Sequence, residues 1–183
     1  TVRPTVTSQK QPSASWQPEH IVLMSEQQFY IDKSHITGQG LFVNKSFRTG
    51  ETIGHIHGPT EVIRRFTQKL SRDTLNWIGV GRYTWINPDE SVFRFINHSC
   101  GPNVAIVTKR KVIALQDTPA DTEIVMDYSL TEAEAGWRLH PCLCGETNCR
   151  SSIGPIMTLP KETFERFENH IPKNFREIYR VSA

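Results

Sequence analysis

Residues 94–103 read Arg94-Phe95-Ile96-Asn97-His98-Ser99-Cys100-Gly101-Pro102-Asn103. Cys100 in this stretch is one of four cysteines in the chain, and the other three lie in the run Cys142-Leu143-Cys144-Gly145-Glu146-Thr147-Asn148-Cys149. Three interpretations of the thiols are open at this point. They form disulfides, they are inert buried side chains, or they bind a metal ion.

A structural zinc site is the interpretation that accounts for all four cysteines. A Cys-x-Cys pair bridges poorly with itself, because a disulfide needs Cα atoms about 4.4–6.8 Å apart with suitable Cβ directions. Inert burial explains Cys100, but not three cysteines in one loop that also carries glycine and asparagine. Four thiolates satisfy a closed tetrahedral Zn²⁺ site. We therefore expect one structural Zn²⁺ bound by Cys100, Cys142, Cys144 and Cys149.

Length and composition limit the class of protein. The chain has 183 residues, of which 37% are hydrophobic and 22% charged, and this suits one globular domain with extensions. Its 21 Lys and Arg against 19 Asp and Glu give a net charge of +2, too weak a balance for a dedicated nucleic-acid binder. No apolar run approaches the roughly 20 residues of a membrane span. Residues 1–18 show no signal-peptide core, so we expect an intracellular, reducing compartment.

The pattern along the chain predicts a β-rich, mixed α+β fold of small packed sheets. Residues 1–18, rich in Pro, Ser, Thr and Gln, predict a flexible tail. Apolar spacing predicts helical segments over 61–70, 132–137, 161–167 and 174–179. Turn residues separate predicted short strands over 29–31, 40–43, 52–56, 83–86, 104–107, 112–115 and 124–126.

Four short motifs follow one another along the chain. They are Gly38-Gln39-Gly40-Leu41-Phe42, residues 94–103, Glu123-Ile124-Val125-Met126-Asp127-Tyr128 and Cys142–Arg150. In this order they resemble the first cofactor motif, the RFINHSCxPN motif, the ELxxDY motif and the post-SET zinc loop of the SET-domain protein lysine methyltransferases. The resemblance covers about residues 28–153. The combination is far more specific than any one segment.

The resemblance implies a SET-domain fold, in which small curved sheets surround a pseudoknot. The segment that holds Tyr128 would thread beside the Asn97–Cys100 loop. The implied division is a flexible tail at 1–18, a SET domain at 19–140, a post-SET zinc loop at 141–153 and a helical C-terminal extension at 154–183. The family also uses the cysteine of its NHSC motif as the fourth zinc ligand, which agrees with the choice of Cys100.

The resemblance further implies transfer of a methyl group from S-adenosylmethionine to a lysine ε-amine, with Tyr128 as the catalytic residue. The implied partner is a lysine-bearing protein or peptide, a histone tail first, with no membrane and no direct nucleic-acid contact. The implied cofactor site contains Gly38, Gln39, Gly40, Leu41, Arg94, Phe95, Asn97, His98 and Leu143. The implied substrate channel contains Met126, Tyr128, Ile56 and Tyr83.

The sequence departs from the family pattern at two positions of the implied channel. Ile56-His57-Gly58 stands where the family usually has Tyr-x-Gly, and Met126 stands where it has Phe or Tyr. Methionine has no hydroxyl and bends easily, so we predict di- or trimethylation. A SET-fold binding module without turnover and a methyltransferase for a non-histone protein are the alternatives. The expected compartment is the nucleus for a eukaryotic protein, and the cytoplasm or host nucleus for a bacterial or viral one.

Overall fold

The structure, a computed structural model, describes residues 28–63, 76–108 and 110–182. Short strands dominate these residues, and two α-helices follow near the C-terminal end of the chain. The strands are β1 (Phe29–Lys33), β2 (Gln39–Val43), β3 (Thr52–His55), β4 (Thr60–Val62), β5 (Ile78–Gly81), β6 (Thr84–Ile86), β7 (Asn97–His98), β8 (Val104–Ile106), β9 (Lys111–Ala114), β10 (Thr122–Glu123) and β11 (Val125–Met126). The helices are α1 (Lys161–Phe167) and α2 (Lys173–Ser182), and 3₁₀ turns include Val92–Phe95 and Tyr128–Thr131.

The strands form four small sheets. Three of them have three strands each, in the orders β1-β2-β10, β3-β9-β8 and β4-β6-β5, and their pairs are antiparallel. The fourth sheet pairs β7 with β11 in parallel, which sets Asn97 opposite Val125 and His98 opposite Met126. Parallel neighbours need a long crossover between them, so two distant segments of the chain meet here.

Asn103 stabilises the parallel pairing of β7 with β11 through hydrogen bonds to the segment around β11. Its side chain donates to the Glu123 main-chain oxygen at 2.8 Å and accepts from the Val125 amide at 2.8 Å. The Asn103 amide in turn donates to the Val125 oxygen at 3.1 Å. The segment leading to Tyr128 is therefore threaded beside the Asn97–Cys100 loop, which confirms the fold expected from the resemblance.

Two hydrophobic clusters stabilise the described residues. The larger cluster lies between the sheets and includes the fully buried Leu41, Ile56 and Ile124. The second joins the C-terminal helices to the segment after Tyr128, with Phe164 stacked on Tyr179 at a centroid distance of 3.8 Å. Leu130 and Ala133 lie in this second cluster, so the C-terminal extension packs directly behind the candidate site.

Two predictions of helical segments were wrong, and a further strand was missed. Glu61 and Val62 belong to β4 and pair with Trp85 and Thr84, so the predicted helix over 61–70 does not begin there, while 64–70 lie outside the described residues. Residues 132–137 form no helix, and the 3₁₀ turn comes earlier, at Tyr128–Thr131. Strand β5 had no prediction. Pairing between strands distant in sequence outweighs local apolar spacing in each β case.

Most of the other predicted elements are confirmed within two residues, but α2 runs to Ser182, three residues beyond its predicted end, and β7 was not predicted. The predicted strand over 124–126 overlaps β11 alone, and Ile124 lies between β10 and β11, which belong to different sheets. The predicted tail at 1–18 lies outside the described residues. Among the described helices, none has the length and apolar character to cross a bilayer.

Candidate active site

Asn97 joins the two motifs that the sequence assigned to one pocket. Its side-chain nitrogen donates to the main-chain oxygens of Thr37 at 3.3 Å and Gln39 at 3.0 Å. It also approaches Glu123 Oε1 at 2.8 Å. The loop before β2 and strand β7 are thereby tied together by one nearly buried amide. Several oxygen acceptors converge at this point, which suits a ligand that carries an ammonium group.

A side chain at position 40 would displace the Glu123 carboxylate, which occupies the space beside Gly40. A Cβ on Gly40 would lie 2.3 Å from Glu123 Oε1, and Ser34 Oγ donates to the same oxygen at 2.8 Å. Gly38 has a φ of +52°, a left-handed conformation that glycine adopts without strain. Sequence reasoning missed Ser34 and Glu123 as site residues, although Glu123 opens the motif that ends at Tyr128.

Tyr128 is fixed at three points. Its hydroxyl donates to the Ile96 main-chain oxygen at 2.7 Å, its amide donates to His98 Nδ1 at 3.3 Å, and its ring meets the His98 ring edge-on. Burial raises the pKa of the Tyr128 phenol, and the nearby Glu123 carboxylate raises it further. The phenol therefore stays protonated near neutral pH. Because its one hydrogen points at Ile96, its oxygen can only accept from a third group.

A narrow cavity of about 50 Å³ lies against Tyr128. Met126, which was expected in the substrate channel, and Arg94, which was expected in the cofactor site, also line it. The sequence did not indicate the two indole rings of Trp77 and Trp137 as paired walls, nor the carboxylate Glu132. The complete lining is Asn76, Trp77, Ile78, Gly79, Phe93, Arg94, Ile96, Met126, Tyr128, Thr131, Glu132 and Trp137.

Several side chains from the predicted site lie elsewhere. Ile56 is fully buried in the larger hydrophobic cluster, and Tyr83 is 45% exposed beside the start of β6. Neither lines the cavity beside Tyr128, so the structure does not bring them to the predicted channel. Leu41 is also core, whereas Leu143 is 58% exposed on the cysteine loop.

Arg94 lines the cavity beside Tyr128, and its side chain stacks on the next residue, Phe95. The Arg94 guanidinium stacks over the Phe95 ring at 4.9 Å and donates to the Asp89 main-chain oxygen at 3.0 Å. Phe95 is half-buried and packs on the larger hydrophobic cluster. The stack holds a positive charge beside the cavity, where it could meet a carboxylate.

Three cysteine sulfurs and one imidazole nitrogen converge near the end of β7. One ligand atom each from His98, Cys100, Cys142 and Cys144 lies within 4.8 Å of all the others. Cys149 lies outside this set, but the thiols of Cys142 and Cys144 both interact with it. The structure thus brings Cys100 to the loop predicted from the sequence, and adds His98 to the cluster.

His98 is arranged as a hydrogen-bond donor to sulfur. Its Nδ1 accepts from the Tyr128 amide, so the hydrogen of the neutral ring is assigned to Nε2, which lies 3.4 Å from Cys100 Sγ. Burial lowers the pKa of His98 to about 4, against the opposing effect of Asp127 and with a further lowering by Arg150. A ring that is neutral and bonded at both nitrogens is better placed to support a thiolate than to bind a metal directly.

The thiols differ in their proton affinity. Burial raises the pKa of Cys100 to about 11, and burial also raises the pKa of Cys142. For Cys144 burial acts in the same direction, but main-chain hydrogen bonds and the neighbouring thiols lower its pKa to about 7. Clustered thiols of this kind are the donors that soft or borderline cations such as Zn²⁺ prefer.

Comparison with known proteins places this arrangement in a family. A profile described as the SET domain matches residues 38–129, half of the 183-residue chain. The chain belongs to the SET-domain family. The matched SET residues include Gly38, Gly40, Asn97 and Tyr128, and the match ends before the cysteine loop.

Curated relatives of this SET domain are much longer proteins. The "Variant-silencing SET domain-containing protein" of Plasmodium falciparum is 30% identical over 138 residues, which is 65% of this chain and 5% of that protein. Human "Histone-lysine N-methyltransferase SETMAR" is 29% identical over 158 residues, covering 68% of this chain and 23% of that protein. The chain therefore spans less than a quarter of the length of either relative.

Solved structures share the SET fold. The methyltransferase domain of human SETMAR aligns with a TM-score of 0.54 at 23% identity, over 69% of this chain and 58% of that one. KRYPTONITE, solved in complex with mCHH DNA, H3(1-15) peptide and SAH, aligns with a TM-score of 0.52 at 19% identity, over 68% of this chain and 29% of that one. These likenesses establish the fold.

Proposed function

We propose that this SET domain is a protein-lysine N-methyltransferase that uses S-adenosylmethionine, with a histone tail as the first candidate substrate. The observation that carries the proposal is Tyr128, whose hydroxyl is anchored on the Ile96 oxygen at 2.7 Å and which lines a narrow cavity together with Ile96. Support also comes from relatives named as histone-lysine N-methyltransferases and from the KRYPTONITE complex with SAH and an H3 peptide.

The residues around Asn97 fit the amino-acid part of S-adenosylmethionine. The oxygens of Thr37, Gln39 and Glu123 gather at Asn97 and suit an α-ammonium, while the Arg94 guanidinium suits a carboxylate. Gly38 and Gly40 allow a ligand to approach the main chain closely. Phe95, His98 and the exposed Leu143 would complete the pocket. When bound, the cofactor supplies an electrophilic methyl group on a sulfonium.

The cavity suits a lysine side chain that must become neutral before it reacts. A lysine amine in water has a pKa of about 10.4, and burial among apolar walls disfavours its charged form. Met126, Trp77 and Trp137 provide such walls, and the Arg94 guanidinium on the same lining also disfavours a second cation, whereas the Glu132 carboxylate acts in the opposite direction. No strong general base is then required, and most of the catalysis can come from orientation.

Tyr128 would orient the amine as a hydrogen-bond acceptor. Its hydroxyl hydrogen is directed at Ile96, so its oxygen is available for an N–H of the neutral amine. One such bond fixes the rotation of the amine and directs the nitrogen lone pair toward the methyl group. The ammonium gives up its proton to solvent water before this step, because a protonated amine has no lone pair to offer. The N–CH₃ bond would then form as the S–CH₃ bond breaks, with S-adenosylhomocysteine as the leaving group.

A structural Zn²⁺ would hold the cysteine loop against the SET domain. We assign the ligands to Cys100, Cys142, Cys144 and Cys149, because four thiolates close a tetrahedral site. His98 would then donate from Nε2 to the Cys100 thiolate as an outer-shell partner. Zinc binding displaces the thiol protons, so its affinity rises with pH until the thiols are ionised.

The proposed domain division follows the same boundaries as the sequence predicted, with a SET domain at 19–140, a zinc loop at 141–153 and a helical extension at 154–183. The protein would meet a histone substrate in the nucleus. For a bacterial or viral protein this would be the nucleus of the host cell. The substrate segment would lie as an added strand beside the channel mouth.

A label-transfer experiment tests the proposal. The protein is incubated with S-adenosylmethionine labelled on the methyl group and with core histones or a cell extract, in parallel with Tyr128→Phe. Transfer to protein that is lost in the variant supports the methyltransferase. Cofactor binding without label in any protein fraction would contradict it and favour a binding module without turnover.

A further inference from the structure

Arg150 and Asp127 form a buried, two-point ion pair. Arg150 Nη1 lies 2.7 Å from Asp127 Oδ2, and Nη2 lies 2.7 Å from Oδ1. The Asp127 side chain is fully buried and the Arg150 side chain is 15% exposed. This fork-to-fork geometry is the most specific that a carboxylate can make with a side chain.

Asp127 accepts two hydrogen bonds from the main chain that follows Tyr128. Its Oδ1 accepts from the Ser129 amide at 3.0 Å, which caps the 3₁₀ turn that Tyr128 begins. Its main-chain oxygen accepts from the Leu130 amide at 3.1 Å. The orientation of the Asp127 carboxylate therefore fixes the turn from which the Tyr128 ring projects.

Arg150 belongs to the cysteine loop at its other end. It directly follows Cys149, and its amide donates to Cys100 Sγ at 3.4 Å. One residue thus contacts the thiol cluster through its main chain and the Tyr128 turn through its side chain. A second connection runs parallel to it, from Cys100 through His98 to the Tyr128 amide.

We propose that Arg150 is a positioning residue for methyl transfer, which sets the Tyr128 hydroxyl through Asp127 and makes that setting depend on closure of the cysteine loop. The inference rests on the proposed function, since it assigns Arg150 a role in the same reaction. Arg150 does not line the cavity beside Tyr128, so its effect there passes through Asp127 and through Ser129, whose hydroxyl oxygen lies 3.4 Å from Arg150 Nη2.

Loss of the Arg150 side chain should displace the turn that carries Tyr128. A carboxylate with no exposure that loses its bidentate partner carries an uncompensated buried charge, and it relieves this by rotating toward other donors or toward water. Rotation breaks the cap on Ser129 and releases the turn. A displacement of about 1 Å at a reacting group can reduce turnover by about 100-fold.

The first test compares Arg150→Gln with Arg180→Gln as a matched control. Arg180 forms an ion pair with Glu168 on the surface, so its loss has little effect. For Arg150→Gln we expect kcat to fall by about 10- to 100-fold while the cofactor Kd changes by less than about threefold. Amide hydrogen exchange over residues 127–131 should become faster in the same variant.

Two further measurements keep the test decisive if Arg150→Gln does not fold. Arg150→Lys retains the charge without the fork, so we expect it to fold with an intermediate kcat and intermediate exchange over 127–131. Addition of millimolar ethylguanidinium should restore part of the turnover of Arg150→Ala, because the solute can occupy the partly exposed site and pair with Asp127.

The outcomes separate this inference from the proposed function. Unchanged kcat and unchanged exchange in Arg150→Gln would overturn the inference. Equal loss of turnover, cofactor affinity and exchange protection throughout the chain would also overturn it, because this result indicates a merely structural role. If the wild-type protein transfers no methyl group, faster exchange confined to 127–131 in Arg150→Gln still supports the coupling, although the proposed function fails.

Discussion

The Tyr128 hydroxyl donates a 2.7 Å hydrogen bond to the main-chain oxygen of Ile96. Ile96 directly precedes β7, and Tyr128 directly follows Asp127 after β11, so the bond spans the parallel β7–β11 pair. The phenol oxygen is left with acceptor capacity alone. The parallel pairing therefore sets both the position of the hydroxyl and the role that it can take.

Asn97→Ala should weaken cofactor binding. The variant removes the amide that gathers the Thr37, Gln39 and Glu123 oxygens. A hydrogen bond involving a charged group contributes about 1.5–3 kcal/mol, so we expect a Kd for S-adenosylmethionine about tenfold higher or more, measured by calorimetry. Asn174→Ala is the control, since Asn174 donates to Val80 in the β5 strand. An unchanged Kd in Asn97→Ala would show that Asn97 does not contribute to cofactor binding.

Met126→Tyr should restrict the product to monomethyl-lysine, whereas the wild-type protein should reach di- or trimethyl-lysine. Met126 is buried and lines the cavity beside Tyr128, where a phenol would hold a water and fill space. Met126→Leu keeps an apolar side chain and should retain multiple methylation. Mass spectrometry of the product under excess enzyme measures this, and only monomethyl product from the wild-type protein would refute the prediction.

Gly79→Ala should destabilise the fold. An alanine Cβ at position 79 would lie 1.8 Å from the Thr131 main-chain oxygen, so β5 must move away from the turn that follows Tyr128. Overpacking of this kind costs about 1–3 kcal/mol, which lowers Tm by several degrees in a protein of this size.

Gly81→Ala is the matched control on the same strand. Its nearest contact would be Thr84 at 3.4 Å, an ordinary approach, and alanine reduces the entropy of the unfolded chain. We expect Tm to be unchanged or slightly raised. Equal Tm values for the two alanine variants would contradict the close approach of β5 to Thr131.

Removal of zinc should weaken cofactor binding as well as stability. The cluster around Cys100 adjoins Asn97 and His98 in the chain, and His98 contacts Cys100 directly. We expect one Zn²⁺ per chain by elemental analysis, its loss in Cys149→Ser or with a chelator, and a weaker S-adenosylmethionine Kd in the depleted protein. Depletion that leaves the Kd unaltered would show that the loop does not support the pocket.

Much of the site could be predicted from sequence because its residues stand in short, ordered motifs. Asn97, Cys100 and Tyr128 occupy fixed places in such motifs, and the structure brings all three to one region. Cys100 was also chosen by counting ligands, since zinc requires four and the loop offers three. Residue type and spacing were sufficient to predict these three site residues.

Contacts between distant segments were not predictable where no motif or ligand count implied them. The Arg150–Asp127 pair joins two motifs, and neither motif indicates which charge faces the other. Glu61 and Val62 read as the start of a helix, yet they pair with β6, which follows β5 in the chain. Ile56 and Tyr83 were expected in the channel, but sheet packing buries Ile56 in the core and leaves Tyr83 on the surface. Tertiary pairing decides each of these cases.

The central claim is that Tyr128 orients a lysine amine for methylation by S-adenosylmethionine, and intact-mass spectrometry of histone-tail peptides tests it most directly. Peptides with each lysine, and the same peptides with that lysine replaced by arginine, are incubated with cofactor and either wild-type protein or Tyr128→Phe. We predict methyl mass increments only where a lysine is present and only with the wild-type protein. No increment on any lysine peptide or histone while the wild-type protein demonstrably binds the cofactor, or equal increments with Tyr128→Phe, would contradict the account.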